Sequence, residues 1–192
     1  MKPTTLRHPV PARLFDDSVQ AIPSFALDED FLIDIAVRVL AETLGDAAYY
    51  LRVVGPDELE GVKYFHRDLA RHLVTSRLIG TRTDVELVDS YRTVLETLEP
   101  LVTSGCGLGR VRNESAPAYE QFAAAIHIRA AAVAPVIVGG VAIGVLGLLR
   151  ENTNVVQADE VCELMGLANS LGERLASSSE RRDPCSIVAV PA

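Results

Sequence analysis

The chain lacks tryptophan and contains few other aromatic residues. Aromatic residues make up 5% of its 192 residues, whereas hydrophobic residues make up 48%. A chain of this length can bury one well-filled core but is too short for two ordinary domains. We therefore predict a single domain whose core consists mainly of Ala, Val, Leu and Ile.

Cysteine is also scarce, with one residue at each of Cys106, Cys162 and Cys185. An odd number of cysteines at wide spacings fits neither a disulfide framework nor a zinc site of the Cys-x-x-Cys kind. We therefore predict reduced thiols and no metal site. The sequence assigns no cofactor.

Positive charge is under-represented, since 18 Lys and Arg stand against 26 Asp and Glu, giving a net charge of −8. A chain of this charge is repelled by DNA at long range unless a basic patch neutralises the phosphates. The one basic doublet, Arg181-Arg182, lies in a polar segment near the C-terminus. We therefore expect no nucleic-acid partner.

Long apolar runs are absent. The most apolar stretch, Val133 to Leu149, is interrupted by one proline and four glycines, whereas a helix that spans a bilayer needs about 20 apolar residues. Pro3, Pro9 and Pro11 lie where a signal peptide would have its apolar core. We expect a cytoplasmic protein with no membrane partner.

The most informative stretch that is present runs from Ala132 to Arg150. Two runs rich in β-formers flank Gly139-Gly140, a dipeptide that favours a tight hairpin. A second hairpin is predicted around Gly55-Pro56-Asp57. The four predicted strands are Ala47–Val54, Leu59–His66, Ile126–Val138 and Val141–Arg150.

Apolar residues recur at helical spacing in four further segments. The predicted helices are Phe31–Leu44, Arg67–Leu78, Asp84–Leu98 and Gln157–Leu175. Thr103–Arg112 is predicted to be a flexible connector, and Tyr119–Ala125 one helical turn. Before the first helix we predict an arm that docks its apolar residues Leu14, Phe15, Ile22 and Phe25 on the body.

The order of these elements resembles that of a GAF domain, over roughly Asp30 to Ala176. The matching segments are Leu44-Gly45-Asp46-Ala47, Gly107-Leu108-Gly109-Arg110-Val111, Ala134-Pro135-Val136, Gly144-Val145-Leu146 and Asp159. Tyr64-Phe65-His66-Arg67-Asp68 before a helix is similar to sensory GAF domains of bacterial, especially actinobacterial, signalling proteins.

The resemblance implies an α+β fold, a three-layer α/β/α sandwich with a central antiparallel sheet of five to six strands. It implies that the helices predicted at Phe31–Leu44 and Gln157–Leu175 pack side by side on the face away from the pocket and form a homodimer. The expected division of the chain is an arm over residues 1–29, the GAF domain over 30–176 and a flexible tail over 177–192.

The residues that bind three known ligand classes of the family are only partly matched, or not matched, in this sequence. Cyclic-nucleotide binders share an Asn-Lys, Phe and Asp-Glu motif; here Asn152, Asp159 and Glu160 match, but Thr153 and Val155 replace the Lys and the Phe. Cys106 precedes Gly107 rather than a histidine, which disfavours a covalent bilin. A haem would need one of His66, His72 and His127 as its ligand.

One branch of the family reduces free methionine-R-sulfoxide with a thiolate nucleophile and a resolving thiol. Where that branch has Cys-Asp after His-Ile, this chain has Arg129-Ala130 after His127-Ile128. The cysteine nucleophile of that branch is therefore missing. The glycine-rich run Gly105–Arg110 lacks the Gly-Lys-Ser/Thr of a Walker loop, so it does not indicate a phosphate-binding site. No other catalytic pattern occurs, so we expect a protein that is not an enzyme.

The resulting hypothesis is a sensory or regulatory module that binds a small molecule between the sheet and the helices of Arg67–Leu98. Binding would shift the packing of the terminal helices and so signal to a partner protein. The first alternative is an interaction module whose pocket is filled by its own Ala and Leu side chains, and the lesser one is the reductase. The candidate ligand-binding residues are Tyr50, Tyr64, His66, Tyr91, Arg110, Tyr119, His127 and Arg129.

Overall fold

Six strands form one antiparallel sheet in the part of the chain that the computed structural model describes, residues 10–22, 28–104, 126–153 and 155–182. The strands are β1 (Ala47–Gly55), β2 (Glu58–His66), β3 (Arg82–Asp84), β4 (Leu101–Ser104), β5 (Ala130–Val138) and β6 (Val141–Arg150). Their order across the sheet is β3-β2-β1-β6-β5-β4. The predicted α+β fold with five to six antiparallel strands is therefore confirmed.

Five α-helices cover the two sides of this sheet in the described ranges. They are α1 (Pro11–Gln20), α2 (Glu29–Thr43), α3 (Leu69–Thr75), α4 (Asp89–Thr97) and α5 (Ala158–Arg182). Single 3₁₀ turns follow α3 at Ser76–Leu78 and precede α4 at Val85–Leu87. Among the described helices, none combines the length and the hydropathy that crossing a membrane requires.

The hairpin between β5 and β6 has the geometry that its sequence predicts. Gly139 and Gly140 have φ of 60° and 83°, a conformation at both central residues that favours glycine and matches the twist of the flanking strands. Val138 pairs with Val141 across the turn. β6 then pairs with β1, so the two predicted hairpins meet in the centre of the sheet.

One side of the sheet, here called the helical side, is covered by α1, α2 and α5. Its strand residues are mostly small or aliphatic, and α2 and α5 pack against each other above them. The strand residues of this core are Ala48, Tyr50, Ala130, Ala132, Ala134, Val136, Leu146 and Leu148. The small side chains of β5 let α5 pack closely on the sheet.

The other side, here called the tyrosine side, carries α4 and the 3₁₀ turns. Because side chains alternate along a strand, the neighbours of the residues above point to this side. Its buried residues include Tyr49, Leu51, Tyr64, Val133, Val145 and Leu149 from the strands and Val94 from α4.

The helix α1 lies within the predicted arm and was not predicted, because prolines are usually helix breakers. Pro11 is the first residue of α1, a position where the missing N–H costs nothing. Phe15 is buried as expected, and the helix also buries Pro11 and Val19, whereas Leu14 and Ile22 are only partly buried. Phe25 lies outside the described residues.

The C-terminal helix is longer than predicted. α5 continues to Arg182, so residues 177–182 of the predicted flexible tail are helical. The hydroxyls of Ser177 and Ser178 donate to the carbonyls of Glu173 (2.9 Å) and Leu175 (3.0 Å).

Several boundaries between the hairpins also differ from the prediction. The segment predicted as one helix, Asp84–Leu98, begins with the end of β3 and a 3₁₀ turn before α4. β3 and β4 have three and four residues, which is too short for a recognisable period. Thr103 and Ser104 of the predicted connector belong to β4, and β5 begins at Ala130 rather than Ile126. The predicted helical turn Tyr119–Ala125 lies outside the described residues.

Candidate functional site

Three tyrosines meet on the tyrosine side of the sheet. Tyr49 of β1 and Tyr64 of β2 are directly paired in the sheet register, and their rings stack at 5.8 Å with 25° between the planes. Tyr91 of α4 approaches Tyr49 edge-on at 6.3 Å. The Tyr91 hydroxyl donates a hydrogen bond to the Tyr49 hydroxyl at 3.2 Å, so this bond links α4 to the sheet.

The Tyr49 ring lies flat on the sheet because glycine is its neighbour on β6. Gly147 pairs with Tyr49, and a Cβ at Gly147 would lie 2.0 Å from the ring. Any side chain there would displace the ring. Gly147 therefore defines a flat aromatic surface at the centre of this side.

Beyond the tyrosines, the same side ends in a polar cluster of His66, Arg71 and Glu151, in which Arg71 is partly exposed. His66 and Glu151 are only 4% and 8% exposed. His66 Nε2 lies 3.5 Å from Glu151 Oε2, which also accepts a hydrogen bond from Arg71 Nη1. The backbone N–H of His127 donates to Glu151 Oε1 at 3.1 Å, so one carboxylate connects three separate segments.

The environment of His66 disfavours its charged form and fixes the tautomer of its neutral ring. Burial, together with the positive charge of Arg71, lowers the pKa of His66 below its ordinary value. Its Nδ1 accepts a hydrogen bond from the backbone N–H of Asp68 at 2.9 Å. The proton of the neutral ring is therefore on Nε2, the atom that faces Glu151.

The helix α3 is attached to the body by polar contacts and by the ring of His72, which lies 5.2 Å from the ring of Phe65. Asp68 caps it by accepting from the Arg71 N–H at 3.1 Å, a bond that lowers the pKa of Asp68, and Arg71 reaches back to Glu151. Leu69 and Leu73 are 73% and 61% exposed, and Thr75 is the one buried residue of the helix. An element with so few buried apolar contacts is among the easiest to displace.

Apart from Tyr50, the predicted ligand-binding residues fall into three groups. Tyr64, His66 and Tyr91 lie on the tyrosine side, where the sequence analysis expected a pocket. The side chains of His127 and Arg129 are exposed, and the Arg129 N–H donates to the Arg150 carbonyl at 2.7 Å. Arg110 and Tyr119 lie outside the described residues.

Tyr50 lies on the side of the sheet opposite to the one where the pocket is expected. Tyr50 is fully buried on the helical side, and burial raises the pKa of its hydroxyl. That hydroxyl forms no hydrogen bond within the described ranges. Tyr49 and Tyr50 are adjacent, so they point to opposite sides of the sheet, and both sides are buried. The sequence pattern alone therefore could not tell which tyrosine faces the ligand side.

Sequence reasoning missed Tyr49, Arg71 and Glu151. Tyr49 could have been found by pairing β1 with β2 around the Gly55-Pro56-Asp57 turn, which places it opposite Tyr64. Glu151 directly follows β6, and its period-2 relation to Leu149 puts it on the same side. Its partners come from distant positions in the chain, however, and no local pattern connects them.

Other polar features do not form a comparable site. A cleft of about 400 Å³ near the start of α2 is lined by charged residues including Arg52 and Lys63. Both are already paired, Arg52 with Glu29 at 2.6 Å and Lys63 with Asp34. No group of three or more potential metal ligands occurs in the described part of the chain, and its free cysteine, Cys162, is exposed on α5.

Comparison with known proteins gives a consistent match. The GAF domain family model matches residues 28–175. No curated protein has a significantly similar sequence. The solved structures that resemble the chain are distant in sequence, so their likeness concerns the fold alone.

Two of these structures are GAF domains of phosphoenolpyruvate-protein phosphotransferases. The domain from Coxiella burnetii has 18% identity and a TM-score of 0.68, covering 90% of this chain and 94% of its own. The Acinetobacter domain has 12% identity and a TM-score of 0.67, covering 94% and 97%. A phycocyanobilin-bound GAF domain of a cyanobacterial phytochrome has 12% identity and a TM-score of 0.66, covering 94% and 100%.

Proposed function

The chain belongs to the GAF domain family, and from this premise we propose that it is a bacterial cytoplasmic sensory module that binds a small molecule on the tyrosine side of its sheet. Domains of this family are generally regulatory, ligand-binding modules rather than enzymes. The observation that carries the proposal is the convergence of Tyr49, Tyr64 and Tyr91 beside the buried pair His66 and Glu151.

The chemistry of this side favours a flat, conjugated ligand with a polar group. Stacked aromatic rings bind planar groups over their faces, and Gly147 keeps the Tyr49 ring flat against the sheet. The Tyr49 and Tyr91 hydroxyls supply hydrogen bonds for orientation. One of the similar structures is described as phycocyanobilin-bound; a noncovalent ligand of comparable flatness would suit this surface.

The proposed mechanism is a shift between two positions of α4. Tyr49 and Tyr64 are buried in the present structure, so a ligand that stacks on them has to displace their cover. A ligand hydroxyl or carbonyl would replace the bond between Tyr91 and Tyr49. A cleft of about 250 Å³ between α4 and β4 offers room for α4 to move. Ligand binding would thereby favour one arrangement over the other.

We further propose that the signal leaves through association of the chain with a second copy or with another signalling protein. The helical side carries α2 and α5, the two helices for which the family resemblance implies pairing. Tyr49 lies on β1, and α2 packs on the other side of this strand, so a change in the contacts of Tyr49 when α4 shifts is passed through β1 to α2.

Native mass spectrometry of the protein as isolated, with an absorbance scan, tests the proposal. The expected result is a reproducible extra mass, which Tyr91→Ala weakens and Tyr50→Phe on the helical side leaves unchanged. Loss of the Tyr91 ring with its hydroxyl should weaken binding about 10-fold to 100-fold. An unchanged extra mass in the Tyr91→Ala protein would contradict binding at this place.

An interaction module without a ligand is the second candidate. It is favoured by the burial of Tyr49 and Tyr64, whose stacked rings already fill the centre of the side where a ligand would bind. The same experiment separates the two functions. A protein that associates with a partner but never carries or takes up a small molecule would support this candidate.

A further inference from the structure

The helix α1 occupies the groove between α2 and α5 on the helical side. Its inward residues Phe15 and Val19 are 0% and 1% exposed and belong to the same core as both helices. Its main packing partners are α2 and α5. The surface through which the two helices were expected to pair with a second copy is thus covered by a helix of the same chain.

The helix α1 has little to stabilise it apart from this groove. Its N-cap residue, Val10, makes no side-chain hydrogen bond, and neither its first nor its last turn carries a charge that suits the helix dipole. Asp16 forms an ion pair with Arg174 of α5 at 3.1 Å, but both side chains are partly exposed, where such pairs contribute little. A ten-residue helix is marginal on its own, so α1 is helical because it is docked.

The groove between α2 and α5 is complementary to one kind of helix. It takes an amphipathic helix with apolar residues four positions apart, at Phe15 and Val19, and a carboxylate at the position of Asp16 to meet Arg174. A second copy of the chain carries an identical helix. We therefore propose that α1 is an exchangeable arm, and that two copies associate by placing α1 of each chain in the groove of the other.

Exchange keeps every contact that the single chain makes. In a twofold dimer each groove holds one α1, so no apolar surface is left exposed and the assembly closes. Eight residues, 21–28, separate the end of α1 from the start of α2. A connection of that length can extend at most about 26–29 Å, more than the diameter of about 10–12 Å of one helix. The proposal rests on the association of two copies in the proposed function, and not on the ligand.

The structure supplies a pair of positions that reports the exchange. A Cβ built on Gly166 of α5 would lie 3.7 Å from the Ala12 Cβ of α1, within the range of about 3.5–4.5 Å that a disulfide requires. Two full-length chains would be prepared in a background of Cys106→Ser, Cys162→Ser and Cys185→Ser. One carries Ala12→Cys and the other, isotopically labelled, carries Gly166→Cys.

When the two chains are unfolded together, refolded as a mixture and oxidised, a bond between positions 12 and 166 can form only between two copies. The expected product is a covalent dimer with one chain of each kind, identified by mass spectrometry without reductant. A single chain with both substitutions serves as the control for geometry. If that control links within itself while the mixture gives no mixed dimer, α1 stays on its own chain and the proposal is overturned.

A second pair of variants separates specific docking from random collision. Phe15→Asp in the Ala12→Cys chain should abolish the mixed dimer, whereas Asp17→Asn on the exposed side of α1 should preserve it. Equal linking by both would overturn the proposal. The outcome is independent of ligand binding: mixed dimers without an extra mass would refute the sensor alone, and an extra mass without mixed dimers would refute the exchange alone.

Discussion

The two sides of the sheet differ in what they bury. The helical side buries small and aliphatic residues, such as Ala132, Ala134 and Leu148, under three helices. The tyrosine side buries tyrosine rings with hydrogen-bonded hydroxyls and ends at His66 and Glu151. Polar groups are costly to bury unless they are paired. Their concentration on the tyrosine side makes that side suited to binding a ligand, whereas the helical side is suited to close packing.

The two sides also differ in how their helices are attached. α2 and α5 bury apolar residues along the sheet, whereas α3 exposes Leu69 and Leu73 and is held by Arg71 and the cap at Asp68. Polar attachments of this kind can be exchanged for bonds to a ligand or to water. The comparison teaches that two described helices are weakly attached: α3, which Arg71 joins to Glu151 on the tyrosine side, and α1 on the helical side.

The largest expected effect tests how closely the helical side is packed. In Gly172→Ala, the new Cβ would lie 2.4 Å from the Ile137 carbonyl oxygen, a backbone atom that cannot move aside. Overpacking of this kind costs about 1–3 kcal/mol, so we expect a loss of about 2 kcal/mol in denaturant unfolding. Gly166→Ala in the same helix meets only ordinary contacts and should gain about 0.5–1 kcal/mol. Equal effects would show that the packing of α5 is not tight.

The next effect tests the polar attachment of α3. Glu151→Gln keeps the shape and the acceptor for the His127 N–H but loses the charge that holds Arg71. We expect the free energy of unfolding to fall by about 1–2 kcal/mol. Amide hydrogen exchange should become faster in α3 and stay unchanged in α2. Glu58→Gln, which breaks the exposed pair with Arg82, is the control and should cost under about 0.5 kcal/mol. Unchanged exchange in α3 would contradict its attachment through Glu151.

A smaller effect compares adjacent tyrosines on opposite sides. Tyr49→Phe removes the acceptor of the Tyr91 hydroxyl and should cost about 1 kcal/mol. Tyr50→Phe removes a buried hydroxyl that has no hydrogen bond within the described ranges, so it should be neutral or slightly stabilising. Unfolding in denaturant measures both. If Tyr50→Phe lowers the free energy of unfolding more than Tyr49→Phe does, the assignment of the two tyrosines to their sides is wrong.

The smallest effect is a pH dependence on the tyrosine side. Because the pKa of His66 is lowered in the folded chain, the unfolded chain binds the proton first as the pH falls below about 6.5. Stability should therefore decrease from neutral pH down to the folded-state pKa and rise again with increasing pH. His66→Asn, which can still accept from the Asp68 N–H, should reduce this slope, and His127→Asn should not. If the pH dependence of stability is the same in His66→Asn as in the unchanged protein, the pKa of His66 is not lowered by burial and the prediction is wrong.

The long elements could be predicted from the sequence, because their signals are local. Gly139-Gly140 between two β-rich runs and the helical period of Phe31–Leu44 need no tertiary information. α1 was missed because a proline such as Pro11 usually breaks a helix, except where it is the first helical residue. β3 and β4 were missed because they are too short to show the alternation of apolar and polar residues that is typical of a strand.

The candidate site was only partly predictable for a different reason. Tyr64, His66 and Tyr91 were named, but Tyr50 was chosen and its neighbour Tyr49 was not, since alternation cannot be anchored when both sides of a strand are buried. Glu151 was missed because His66, Arg71 and His127 approach it only in the folded chain. Such long-range polar contacts follow from the sheet register and not from any local pattern.

The most direct test of the central claim is a crystal structure of the protein as isolated. The account predicts density for a non-protein group stacked on Tyr49 and Tyr64, with the bond between Tyr91 and Tyr49 replaced by bonds to that group. Density for a small molecule on another surface, with the three tyrosines still bonded and covered as they are now, would contradict it.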